Sequence, residues 1–143
     1  MTVTVFTLCD FAKAENGKMT IVGTFDGLFA HQAPAVHPMC ALAMIMQFER
    51  IEEGNKNIRL SFIDTDGKPI MPTINAQMPV RLNPGESIAT VQFVVVIQQI
   101  SLPRFGEYSI DLAVDGRQEA STPLYLRKVP QSGAQLPPPV QES

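Results

Sequence analysis

Between Ser87 and Gly116 the chain alternates in hydropathy, and that alternation narrows what it can fold into more than any other feature. Tyr108, Ile110, Leu112 and Val114 fall on one side, while Glu107, Ser109, Asp111 and Asp115 mark the other. A period of two is the signature of a half-buried strand. Upstream, Val91, Phe93, Val95 and Ile97 share one face, and Thr90, Gln92, Val94, Val96 and Gln98 the other. Past Gln99 the apolar set moves to Ile100 and Leu102, a phase slip that predicts a β-bulge near Gln98–Gln99. Pro103 and Gly106 punctuate the link between the two segments. The pair reads as the centre of a β-sandwich, with Val91, Phe93, Val95, Tyr108, Ile110, Leu112 and Val114 in its core.

The rest of the chain repeats the theme. Residues 2–9 are β-branched and aromatic, a first strand. Asn16-Gly17 is a hairpin signal, and Lys18–Phe29 reads as the return strand. Gly23 in its middle predicts a bulge or a close backbone approach. A loop follows from His31 to Pro38. Met39–Phe48 is apolar on both faces; Pro38 at its start and the all-β context favour strand over helix. Ile58, Leu60 and Phe62 point inward from the next strand, and Asp64-Thr65-Asp66-Gly67 is a turn. Pro69, Pro72, Pro79 and Pro84 leave room for one edge strand near Ala76–Leu82. A last strand after Asp115-Gly116 is expected to break near Ser121-Thr122-Pro123 and resume with Leu124 and Leu126 inward. The pattern predicts a single antiparallel β-sandwich of seven or eight strands, immunoglobulin-like or C2-like, over residues 1–129. Residues 130–143, with Pro137-Pro138-Pro139, read as a disordered tail or a weak polyproline ligand.

Charge and cysteine content exclude several classes. Net charge is −3 with no basic cluster, which argues against nucleic acid as a partner. No apolar run approaches the ~18 residues of a membrane helix, and no signal peptide is read before the first strand. Cys9 and Cys40 then read as two reduced, buried thiols of a cytoplasmic protein.

Candidate chemistry is sparse. Asp26, Asp64, Asp66 and Asp115 could be gathered from loops around calcium, although Asp and Gly are also ordinary turn formers. An EF-hand does not fit, because aligning Gly67 with its glycine puts Phe62 at the first ligand position. His31, His37, Cys9 and Cys40 lack paired zinc spacing beyond His37-x-x-Cys40. No nucleophile motif, phosphate loop or cofactor fingerprint is present, so no enzyme, metal or cofactor is expected. Gly106-x-Tyr108 resembles a tyrosine corner, whose phenol bonds backbone upstream.

Leu8-Cys9-Asp10, the run Gly17-Lys18-Met19-Thr20-Ile21-Val22-Gly23-Thr24-Phe25-Asp26, His37-Pro38, and Gly106-Glu107-Tyr108 through Asp115-Gly116 together resemble a small family of uncharacterised bacterial β-sandwich proteins. The resemblance implies a β-sandwich and brings no established activity or site residues. The expected role is a non-enzymatic binding or assembly module; the alternative is a loop-based binder of calcium or a small ligand. Partners are expected to be a second copy or another protein. Because the second face of Met39–Phe48 is apolar, a homodimer through Ala41, Ala43, Ile45 and Val94 is expected, unless segment 68–87 folds over that face.

Overall fold

A computed structural model describes residues 1–130; the remainder of the tail expected from residue 130 lies outside the described residues. The described residues form nine strands: β1 (Thr2–Glu15), β2 (Lys18–Phe25), β3 (Gly27–Ala30), β4 (Ala35–Glu49), β5 (Gly54–Asp64), β6 (Ile74–Val80), β7 (Ile88–Leu102), β8 (Gly106–Val114) and β9 (Arg117–Lys128), with one 3-10 turn at Arg50–Glu52. They form two sheets, a four-stranded one in the order β2-β1-β4-β7 and a five-stranded, curled one in the order β3-β9-β8-β5-β6. One core lies between them. Leu42, Met44, Met46 and Phe48 of the first sheet meet Leu60, Phe62, Ile110, Leu112 and Leu124 of the second.

Several expectations need correction. The strand count exceeds seven or eight, because the return strand predicted over Lys18–Phe29 divides at a bend on Asp26. The Asp26 carbonyl accepts the Tyr125 N–H at 2.7 Å, and the chain passes to the other sheet as β3. There β3 runs parallel to β9, so the fold is not purely antiparallel. The last strand, in turn, does not break at Pro123. Pro123 pairs with Ser109, and β3 joins β9 only from Tyr125 onward. The missing N–H therefore falls where β9 has no second neighbour.

The segments read as a central pair belong to different sheets. β8 is interior to the five-stranded sheet, and its Tyr108, Ile110, Leu112 and Val114 are buried as expected. β7 is an edge of the four-stranded sheet, which leaves Val91, Phe93 and Val95 half-buried against the core. Nor is there a one-strand bulge at Gln98–Gln99. The β4–β7 register is constant from Ala35↔Leu102 to Glu49↔Ile88. Instead both strands slip together: Ile97 and Ile100 on β7, and Ala35 and Cys40 on β4, all face the core. The crease falls where Pro38, which has no N–H, lies opposite Gln99, whose φ is 55°.

A second paired crease folds the β1–β2 hairpin. Asn16 and Gly17, both at positive φ, make the tight turn that the sequence predicts. Lower down, Gly23 at φ +69° lies opposite Asp10, and a Cβ there would stand 2.9 Å from the Asp10 Cγ. This is the close approach expected at Gly23. Beyond Cys9, β1 no longer pairs with β4. The hairpin end crosses the outer face of the four-stranded sheet, and Gln92 of β7 donates its side-chain N–H to the Gly17 carbonyl at 3.0 Å. Ala12, Met19 and Ile21 thereby cover Cys9, Ala41 and Ala43 beside Val94. The Ala41–Ala43 stretch of the apolar second face of β4 is thus closed from within the chain, while Met39 on the same face stays exposed and Ile45 half-buried. Neither segment 68–87 nor a second molecule is needed to cover Ala41 and Ala43, which are 3% and 0% exposed.

Candidate binding surface

The two sheets have four edges, and three are blunted. β3 is four residues long. β6 is seven residues long and contains Pro79. β2 begins at Lys18, contains Gly23 and is curled with the hairpin. Short length, lysine, proline and strong twist are the devices that keep edges from pairing with other chains. β7 carries none of them. Its fifteen residues, Ile88 to Leu102, include no charge and no proline. Every second residue of such an edge turns its N–H and C=O away from the neighbouring strand. Val96 on its outer face is 60% exposed, next to Met39 at 57%. One end of the edge is fixed by Arg50, whose guanidinium donates to the carbonyls of Asn83 and Glu86 in the loop leading into β7.

At the other end a polar clasp ties β7 to β8. Tyr108 is buried, donates its hydroxyl to the Arg104 carbonyl at 2.6 Å and accepts the Arg104 N–H at 2.9 Å. This is the tyrosine corner expected from Gly106-x-Tyr108. The Arg104 guanidinium reaches Asp64 at 3.3 Å. Asp64 also accepts the N–H groups of Asp66 and Lys68, both at 2.9 Å. These bonds, that from Lys68 foremost, hold its carboxyl below the usual carboxylate range against the opposing effect of burial. Asp64 therefore closes a turn and tethers a loop.

Asp66 shares that turn, and the remaining calcium candidates, Asp115 and Asp26, lie apart from it. Asp115 sits in the β8–β9 turn, accepts the Asn57 N–H at 2.8 Å and faces Lys56 at 3.6 Å. Asn57 and Asp64 lie seven residues apart along β5, a span of roughly 23 Å. Asp26 occupies the β2–β3 bend. Among the described residues no three His, Cys, Asp or Glu side chains converge as a metal site. Cys9 and Cys40 are both buried and unpaired. Burial is the first cause that raises each thiol, Cys40 to about 11, with nearby Asp10 adding to it. His37 packs edge-on against Phe25, and its Nε2 is buried without a hydrogen-bond partner. Among the described residues no helix is long and apolar enough to cross a membrane.

The edge position of β7 leaves no local mark in the sequence. A neutral strand rich in valine looks like the middle of a sheet, and only the pairing order shows that β7 has one neighbour.

Comparison with known proteins adds a family and little else. The model of a family described as "Family of unknown function (DUF6941)" matches residues 4–127. Nothing among the curated proteins matches. The solved structure of Pseudomonas fluorescens alkylpurine DNA glycosylase AlkC bound to DNA containing an abasic site analog is similar at 9% identity and a TM-score of 0.43, over 88% of this chain and 30% of that one.

Proposed function

This chain belongs to that family of unknown function, DUF6941, and from that premise we propose that it is a non-enzymatic binding or assembly module that accepts an extended strand along the free edge of β7. One observation carries the reading: β7, the longest edge strand, has neither charge nor proline and pairs on one side only. Strand addition uses main-chain hydrogen bonds for affinity and alternate side chains for selectivity. β7 offers both, with Val91, Phe93 and Val95 on the core side and Thr90, Gln92, Val94 and Val96 on the other. The non-enzymatic part is supported by thiols held protonated through burial and by an Asp64 carboxylate engaged in a turn. The buried phenol of Tyr108 supports an immunoglobulin-like rather than a C2-like topology. Two unpaired thiols support a cytoplasmic setting.

Amide hydrogen exchange on the full chain tests the reading. Alternate β7 amides should exchange freely in dilute solution while those of β4 stay protected. Protection of β7 equal to that of β4 in a chain that light scattering shows to be monomeric would refute it.

A further inference from the structure

We infer that the strand added to β7 is the β7 of a second copy of this chain, paired antiparallel across a two-fold axis, so that the two four-stranded sheets become one. The inference rests on the edge reading above and names its occupant.

A single donated strand would cover one edge and present another. A two-fold pairing consumes both β7 edges at once, because a two-fold contact uses the same surface on both partners. The borders of the joined sheet would then be the two β2 strands, which Lys18 and the curl at Gly23 already blunt.

The edge of β7 is also self-complementary. Antiparallel pairing about a residue on the axis always sets side chains of one face against side chains of the same face. With Val94 on the axis, Val91 meets Ile97 and Phe93 meets Val95 on the core side. On the outer side Thr90 meets Gln98 and Gln92 meets Val96. No like charges oppose, since the strand has none. The half-buried Val91, Phe93 and Val95 would gain the neighbour that an interior strand supplies, and the core would run on from one copy into the next. The paired window, Thr90 to Gln98, ends just before the crease at Gln99.

The surface differs from the face expected from sequence. Ala41 and Ala43 lie under the hairpin, whereas the edge of β7 is open.

The test is light scattering after size exclusion on the full chain, over a dilution series, with Val96→Lys and Thr90→Lys as edge-blocking variants. Val96 is 60% exposed on the outer face, so a lysine there leaves the core intact. Wild type should elute at twice the chain mass of 15.7 kDa, and the folded variants at that mass. In hydrogen exchange the dimer should protect β7 amides that the variants leave open. If only one variant folds, as read by circular dichroism, that one decides. A wild type that stays monomeric overturns the dimer. If its β7 amides then exchange freely, the edge reading survives; if they are protected at every dilution, both fall. A dimer that persists in the folded variants overturns the proposal by placing the contact elsewhere.

Discussion

Replacing Tyr108 by Phe removes one oxygen from a site where the ring is otherwise unchanged. The hydroxyl makes two bonds to one residue, 2.6 Å to the Arg104 carbonyl and 2.9 Å from its N–H. A net contribution of about 1 kcal/mol for each gives about 2 kcal/mol. Arg104 lies in an exposed loop, so water can reach the freed backbone groups and return part of that loss. The expected destabilisation is therefore about 1–2 kcal/mol. With an unfolding entropy of roughly 2.1 cal/mol/K per residue, a chain of this size should melt about 5 °C lower. Urea unfolding followed by circular dichroism measures it: the midpoint should fall while the slope stays constant. Tyr125→Phe is the control, since Tyr125 stacks under Arg127 with its centroid 4.5 Å away and lacks the corner bonds. Midpoints for Tyr108→Phe within error of wild type would show that the corner contributes nothing and that packing alone ties β7 to β8.

Two further outcomes follow from the geometry. Gly23→Ala should cost about 2 kcal/mol or more, because Gly23 sits at φ +69° and a Cβ there would crowd the Asp10 carboxylate; an unchanged melting temperature would argue against the crease. Asp64 has a folded pKa below its unfolded one, so its contribution is full above the unfolded value near 4 and is lost as pH falls through the folded value. The stability gap between wild type and Asp64→Asn should thus narrow in acid, and a gap constant from neutral to strongly acid pH would refute the assignment.

Much of the fold is legible in single strands. The alternation of Ile58, Leu60 and Phe62, the Asn16-Gly17 turn and the inward set of β8 all follow from side-chain period and turn chemistry, which are local. What is not local was not legible. The return strand looks continuous through Asp26 because nothing within it says that residues 27–30 will find β9 instead of β1. β7 looks interior because apolar neutral strands usually are. Asp64 and Asp66 share one turn, but Asp115 is held elsewhere, by Asn57, seven residues from Asp64 along β5. The candidate surface was therefore hidden in the best-read segment of the chain.

The two creases explain why face assignments fail where strand assignments succeed. A bulge on one strand shifts the register of its partner. At Asp10–Gly23 and at Pro38–Gln99 both strands slip by one residue, so each ladder keeps its register while all side chains beyond the crease change face. Each pair includes one residue at positive φ, Gly23 at 69° and Gln99 at 55°. Seen in one strand alone, such a slip cannot be told from a bulge. Its consequence is larger. At the first crease Ala12, Met19 and Ile21 turn onto Cys9, Ala41 and Ala43, and an apolar face that would invite another molecule becomes a second small core. At the second, Ile100 and Leu102 return to the main core. With Ala41 and Ala43 closed internally, the apolar side chains left open on that face, Met39 and Val96, lie beside the one unblunted border of the sheet, along β7.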